Sequence, residues 1–434
     1  MAPDRTTPGI AARRLDAESL ARNFAEPQPP LDAEEAIALA RSCPPEGLAE
    51  LARAYPDGPD LAGFAAKMAE GDFAGAAQVL YETNILGGIC ARVNPLDWIC
   101  RDLGEEAAAL APAVAQLQRF ATDLAMAAPG HPFVRAAPSG RRVAVVGGGP
   151  AGLACAHRLA RHGHDVVLME AREKAGGLNE YGIAAYKLPA GYAQAEIAWL
   201  ARIGGIELRT GLRLGRDVTL EGLCAEHDAV FLALGLAGVN ALRAEGAEKA
   251  NVHDAVDFIA GLRQQGWQEI PVGRDVVVIG GGMTALETAV QAKLLGAQSV
   301  TMVYRRSEAE MSVHAPERQH AASKGVRIVT GAEPVRLHGG EGVEEVEFLR
   351  AAGGRTFRLK ADQVFKAIGQ CLGEAPGGIR LEAGKIAIAP GGATSVPGVW
   401  AGGDCATGGS DLTLEAVTQG RDAAEDIHHR LSAA

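Results

Sequence analysis

Apolar positions along this 434-residue chain follow two patterns. Up to residue 135 they recur at helical spacing in segments rich in Ala, Leu and Glu, as in 32–41, 61–69 and 110–125, with Pro or Gly between segments. No β-rich run interrupts this part. From residue 142 the pattern changes to short unbroken apolar runs, the signature of strands buried on both faces of a parallel sheet. Segments 143–146, 165–170, 228–235, 275–280, 299–304, 361–369 and 399–404 read as such strands, and 153–160, 286–295 and 414–430 as helices. This alternation predicts an α/β fold, with two nested Rossmann-like dinucleotide-binding domains preceded by an all-helical N-terminal domain. The expected boundaries are a helical domain over 1–138, a first nucleotide domain in two parts, 139–245 and 373–434, and a second over 246–372 inserted between them.

The two units repeat one motif. After strand 143–146 comes Gly147-x-Gly149-x-x-Gly152, with Pro150 and Ala151 inside it, and then a helix. The first glycine permits the tight turn, the second lets backbone approach a pyrophosphate, and the third lets the helix pack on the strand. The helix end adds free N–H groups and a partial positive charge. Strand 165–170 ends in Glu170, 18 residues after Gly152, where a ribose hydroxyl needs an acceptor. In the second unit Gly280-x-Gly282-x-x-Ala285, with Met283 and Thr284, follows strand 275–280. The next strand ends in Arg305 and Arg306 instead of an acid. Two guanidinium groups suit a 2′-phosphate by charge and forked geometry, which favours NADPH, with NADH as the alternative. The plainer reading is that the arginines cap a strand edge in solvent. Strands 228–235 and 361–369 end on Gly235 and Gly369, and strand 399–404 delivers Gly403 and Asp404. Asp404 taken alone is also readable as a turn residue. Ser410, Asp411 and Thr413 offer caps for the last helix, whose N-terminus would stabilise negative charge on a reduced flavin ring.

Composition removes several function classes. Net charge is −11, which argues against a nucleic-acid partner. No run of 18 apolar residues offers a membrane span, and the start, Met-Ala-Pro-Asp-Arg, lacks a signal-peptide pattern. Seven scattered cysteines form no disulfide framework, so a reducing cytoplasm is the expected setting. Cys155 and Cys405 adjoin nucleotide motifs without a CxxC partner, which argues against a redox-active disulfide. No metal site, nucleophile–base pair or paired-carboxylate motif emerges, and His314, His320, His428 and His429 read as surface residues.

These features together resemble the two-dinucleotide-binding flavoprotein superfamily, whose first unit holds FAD and whose inserted unit holds NAD(P)H. One branch is similar in detail: the small subunit of glutamate synthase and the flavoprotein subunit of bacterial dihydropyrimidine dehydrogenase. The resemblance rests on segments 84–93, 117–123, 280–285 and 365–370, and on Gly176-Gly177-Leu178-Asn179-Glu180-Tyr181-Gly182-Ile183. The continuation to Lys187 and, more weakly, segment 254–257 bring the second relative nearer. The resemblance implies FAD and NADPH as cofactors and adds Gly177, Leu178 and Lys187 to the expected binding residues. Hydride transfer needs only aligned nicotinamide and flavin, so no catalytic side chain is expected.

The family's helical domain carries two [4Fe–4S] clusters on cysteines spaced C-x2-C-x4-C-x3-C-P and then C-x3-C-P-x4–5-C-x3-C. Here the first set reads Cys43, Glu46, Leu51 and Tyr55, and the second Cys90, Asn94, Cys100 and Gly104. Three of eight cysteines survive, and Gln118 stands where some relatives use a glutamine ligand. Neither site gathers four good ligands, so no iron–sulfur cluster and no metal are expected, and the three cysteines read as buried apolar residues. Met283 stands where relatives often place Asn or Asp, and Glu287 where many have Asp, which bears on nicotinamide placement. The expected function is an NADPH-dependent FAD oxidoreductase passing electrons to a partner oxidoreductase subunit without clusters, in a homo- or hetero-oligomer. The alternatives are a self-contained flavoenzyme with a small-molecule acceptor and a degenerate, non-catalytic subunit.

Overall fold

A computed structural model describes residues 10–11, 14–26 and 28–433. The expectation for residues 1–5 lies outside this range. The chain forms two compact units. One comprises the described residues up to Glu26 together with Tyr181–Ala190 and Gly238–Cys371, and the other Gln28–Glu180, Gly191–Ala237 and Leu372–Ala434.

The larger unit joins a helical layer to a five-stranded parallel sheet. Its helices start where acids accept orphan amides: Asp32 caps Ala33–Arg41 in a capping box with Glu35, and Asp60 and Asp72 cap Leu61–Glu70 and Phe73–Thr83. The first of this latter pair stops at Gly71, whose φ of +80° closes the turn. Leu48, Leu51, Phe64, Met68 and Leu117 fill the layer's interior. The sheet runs in the order Val399–Ala401, Ala229–Leu232, Arg142–Val146, Asp165–Glu170, Ile206–Thr210. Its central strand is apolar and buried at every position after Arg142, as a strand covered on both faces must be. Helices Pro150–Arg161 and Thr413–Ala433 pack together against it. They meet at Gly420, where an added Cβ would lie 2.1 Å from the Ala151 carbonyl oxygen.

The smaller unit repeats the plan. Its parallel sheet runs Val326–Val329, Ser299–Val303, Asp275–Ile279, Gln363–Lys366, Val252–Asp254. In both sheets the strand leading into a glycine turn is central. On one side lies the strand ending in Glu170 or before Arg305, on the other the strand before Gly235 or Gly369. A three-stranded antiparallel sheet, Ala332–His338, Glu345–Arg350 and Thr356–Lys360, completes this unit.

Several element bounds differ from the sequence expectation. The helices after the glycine turns begin at Pro150 and Met283, earlier than 153 and 286, because the turn itself opens the helix. Strands expected over 228–235 and 361–369 pair only over Ala229–Leu232 and Gln363–Lys366, since the chain leaves the sheet before reaching its glycine. Ile10–Ala11 forms a two-residue strand on Val272–Gly273, too short to leave a sequence pattern. The last helix starts after Leu412, whose carbonyl accepts from the Ala416 N–H at 3.0 Å. The expected caps are engaged elsewhere: Ser410 donates its amide to Glu415, Asp411 pairs with Lys385, and the Thr413 hydroxyl meets Asn179 Oδ1 at 3.1 Å. Among the described residues no helix is long and apolar enough to cross a membrane.

The Gly420 crossing yields a prediction. Gly420→Ala forces a methyl against backbone and should destabilise by about 1–3 kcal/mol. Gly261→Ala, whose Cβ meets only Ile270 Cδ1 at 3.5 Å, should be neutral or stabilise by up to about 1 kcal/mol. Thermal unfolding of the two variants checks this; equal midpoints would show that the helices can separate freely at Gly420.

Candidate functional site

In the larger unit the glycine turn packs directly on backbone. A Cβ on Gly147, at φ +108°, would lie 2.1 Å from the Ala233 oxygen, and one on Gly152 would lie 1.9 Å from the Gly147 oxygen. Gly149 is the N-cap of Pro150–Arg161 and has no side-chain cap. The nearest atom to its added Cβ is Gly177 Cα, at 3.8 Å. The helix end therefore presents uncapped N–H groups to that space. Loop 175–180 lies against the turn: Gly176 N–H donates to the Gly148 carbonyl at 2.7 Å, and Gly177, at φ +54°, packs on Gly149. Leu178 next to it is 38% exposed.

Glu170 is buried at the strand end, and each oxygen already accepts one amide: Oε2 from Gly148 at 2.9 Å and Oε1 from Arg172 at 2.8 Å. Each retains a lone pair for a further donor. Gly235, at φ +63°, borders open space. Asn179 Nδ2 is buried without a partner while its Oδ1 meets Thr413, so one amide donor is left unused. Gly403, at φ +75°, donates its amide to Gln419 Oε1 at 2.7 Å. Burial, with the Asp411 carboxylate, pushes the Asp404 carboxyl up to about 6, against the pull of Lys385.

The smaller unit holds the second cradle. A Cβ on Gly280 would lie 2.2 Å from the Ala367 oxygen and 3.1 Å from Ala285 Cβ. Gly282 is the uncapped N-cap of Met283–Leu294, and the Tyr304 ring covers Gly281. Thr284 is half-buried in the first turn, and Gly369, at φ +99°, faces Asn240. Arg305 and Arg306 are exposed. Lys187 lies in this unit, and its ammonium pairs with Glu287 at 3.0 Å and Glu317 at 3.1 Å.

The helical layer contains a buried charge network that the sequence reasoning missed. Glu196, fully buried on Tyr192–Leu200, accepts the Gly88 amide at 2.9 Å and the Ile89 amide at 3.2 Å. Burial pushes its carboxyl up to about 8, against the pull of those amides and of Arg92. Arg92 pairs with Asp123 at 2.6 Å, and Tyr192 donates to Asp123 at 2.7 Å. Gly88, Arg92 and Asp123 all fall in motif segments; for Glu196 the only signal is that it is the one charged residue of its helix.

The remaining cysteines of the layer, Cys43, Cys90 and Cys100, are all buried, and burial raises each thiol above its ordinary range. Among the described residues no three His, Cys, Asp or Glu side chains are grouped to hold a metal ion. Tyr55, Asp57, Cys90, Asn94, Gln118 and Leu414 line a cavity of about 10 Å³. Tyr55 Oη and Asp57 Oδ1 are buried there without partners. Of the four expected surface histidines only His429 is exposed. His428 stacks on His162 at 3.8 Å and meets His164 at 2.9 Å.

The pyridine nucleotide-disulphide oxidoreductase family matches residues 141–420, and dihydropyrimidine dehydrogenase domain II, 4Fe-4S cluster, matches 20–129. The NAD-dependent dihydropyrimidine dehydrogenase subunit PreT of Escherichia coli is 33% identical over 366 residues, 84% of this chain and 86% of that protein. The glutamate synthase (NADPH) small chain of Halomonas elongata is 31% identical over 445 residues, 95% of this chain and 94% of that one. Among solved structures, T. acidophilum thioredoxin reductase aligns at TM-score 0.54 and 21% identity over 68% of this chain and 100% of its own. Mycobacterium tuberculosis FprA in complex with NADPH aligns at 0.58 and 18% over 68% and 85%. At these identities the structures establish the fold alone, the arrangement of parallel-sheet α/β domains described above.

Asp57 makes the cavity pH-sensitive. Burial raises its carboxyl from 3.8 to about 6. The folded chain then keeps a proton that the unfolded chain has released, so stability falls as pH rises through that window. The total is on the order of 2–3 kcal/mol. Asp57→Asn should remove this loss, matching the parent near pH 4 and exceeding it near pH 7 in urea midpoint. A constant difference between the two proteins across that range would refute the assignment.

Proposed function

The chain belongs to the pyridine nucleotide-disulphide oxidoreductase family and is an NAD(P)H-dependent flavin oxidoreductase, and from that premise we propose that it draws hydride from NADPH onto FAD and passes electrons to a partner oxidoreductase subunit with no iron–sulfur cluster between. Bound FAD supplies the hydride acceptor. The residues present fit it in the larger unit. The uncapped helix end at Gly149 and Pro150–Gly152 faces open space suited to a pyrophosphate. Glu170 keeps lone pairs for ribose hydroxyls. Asn179 Nδ2 is a buried donor awaiting an acceptor beside Thr413. Gly177, Leu178, Gly235, Gly403 and Asp404 complete the assigned lining, and Ala151 packs under the turn.

NADPH is assigned to Gly280, Gly282, Met283, Thr284 and Ala285, with Gly369 beside the turn and Arg305 and Arg306 on the 2′-phosphate. An exposed pair of guanidinium groups at the strand end suits a dianion and leaves a 2′-hydroxyl without an acceptor. The relatives are named as NAD-dependent in one case and NADPH in another, so these arginines carry the choice here. Their names, a subunit and a small chain, support a partner subunit as electron acceptor.

One observation carries the cluster-free part. Tyr55, Cys90, Asn94 and Gln118, positions counted from two separate cysteine patterns and a glutamine, line one cavity. In place of four thiolates that cavity offers a single buried thiol, beside a phenol, the Asp57 carboxyl and three amides, a donor set that does not fit a [4Fe–4S] cluster.

The decisive experiment is anaerobic titration of the purified protein with NADPH. The flavin band should bleach with one equivalent per chain while iron analysis gives none. A colourless protein, or about four iron atoms per chain with a thiolate-to-iron absorbance, would sink the proposal. In the double variant Arg305→Ala/Arg306→Ala the Kd for NADPH should rise at least about tenfold, with NADH changed less than about threefold. Equal losses for both nucleotides would remove the arginines from 2′-phosphate recognition.

A further inference from the structure

Lys187 sits among carboxylates, in the smaller unit, on a strap that the chain sends into it. Residues Tyr181–Ala190 belong to that unit although both flanking segments belong to the other. The strap is fastened to one face of Met283–Leu294. Ala184 N–H donates to Glu287 Oε2 at 3.3 Å, and Ala185 N–H donates to Gln291 Oε1 at 2.9 Å. Lys187 Nζ lies 3.7 Å from Met283 Sδ, 3.0 Å from Glu287 Oε1 and 3.1 Å from Glu317 Oε1. Met283, Glu287 and Gln291 are spaced four apart, so they form one stripe of the helix. Met283 is the first helical residue after Gly282, at the mouth of the second glycine turn.

This arrangement places two acids beside a helix end that has to attract an anion. The side chain of Glu287 is 5% exposed and that of Lys187 15%. Burial alone would pull the Lys187 ammonium down, but Glu287 and Glu317 hold it well above the ordinary lysine range, so it stays charged. Two negative charges and one positive leave a net of one negative charge where, without Lys187, there would be two. Glu287, buried on the helix that the turn opens, is screened little by salt, and Glu317, 25% exposed, more.

We propose that Lys187 is a positioning residue for the pyridine nucleotide, neutralising Glu287 and Glu317 and holding Met283 in place so that the helix end keeps a field that attracts a pyrophosphate. It acts through its neighbours and does not touch the nucleotide. The inference rests on the assignment of Gly280–Ala285 to NADPH.

Its test is the affinity of the FAD-loaded protein for NADP+, measured calorimetrically, so that turnover plays no part. Lys187→Met should weaken binding about tenfold, the equivalent of about 1.4 kcal/mol. Lys187→Met/Glu287→Gln removes a positive and a negative charge together and should restore affinity to within about threefold of the parent. Lys187→Arg, which keeps the charge, should bind like the parent and guards against a folding defect in the single variant. In the single variant the loss should persist at about 1 M salt, where surface charges are screened within about 3 Å. If the double variant binds as poorly as the single one while melting like the parent, Lys187 acts by shape and the proposal falls. If the parent itself binds no NADP+, the fault lies with the assignment of the nucleotide site.

Discussion

The close approach of backbone at Gly147 is the constraint on which the first nucleotide site depends. There the turn passes the Ala233 carbonyl with no room for a Cβ, and Gly152 passes the Gly147 carbonyl equally closely. The central strand, the turn and helix Pro150–Arg161 are thereby locked in one relation, with the helix end aimed past the carboxyl edge of the sheet. Gly420 extends the same economy of space by bringing the last helix down onto Ala151. The second unit reproduces the arrangement at Gly280 against Ala367. In both, an anion site follows from the removal of side chains: free N–H groups at a helix start become accessible only if nothing stands in front of them.

The two cradles differ in how the groups proposed for recognition are held. Glu170 is buried and pinned by two amides, so its orientation is fixed when the chain folds. Arg305 and Arg306 are exposed, and their long side chains lose freedom only when a ligand binds. That contrast suits a resident cofactor on one side and an exchanging nucleotide on the other. A preorganised acceptor strengthens retention, whereas ordering two arginines on arrival lowers affinity and allows release.

Local rules made much of this architecture legible. Unbroken apolar runs mark buried parallel strands, and glycine spacing marks the turns, so the two central strands, their helices and the strand ends at Glu170 and Arg305 follow from the sequence. What was not legible depends on tertiary pairing. Lys187 follows a motif that belongs to the first unit, yet its partners Glu287 and Glu317 lie about 100 or more residues on, and no local period points to them. Glu196 is similar: the one charged residue of its helix shows its meaning only when Gly88 and Ile89 supply amides. The polar residues before the last helix looked like caps by type, but competing partners, Glu415, Lys385 and Asn179, took them.

The Glu196 network gives the motif segments of the helical layer a structural role of their own, independent of the eight positions that the resemblance assigns to cysteine. Gly88 is needed because a Cβ there would lie 2.2 Å from Tyr192 Oη and 2.8 Å from Glu196 Oε1. Arg92 and Asp123 are needed because each neutralises the other beside a buried acid. Removing one partner of such a set leaves a buried charge uncompensated, at a cost of about 3–5 kcal/mol. Tyr55 and Asn94, at two of the counted cysteine positions, border a small cavity in which the Tyr55 hydroxyl is unpaired, a cost of about 1–3 kcal/mol. The segments that resemble a cluster-binding domain supply the clamp on Tyr192–Leu200, whose contacts are made by Gly88, Ile89, Arg92 and Asp123 and by none of the cysteines. The match of residues 20–129 to a 4Fe-4S cluster domain spans Gly88, Arg92 and Asp123 of this clamp as well as the three cysteines, so packing and ligands are separate questions within it.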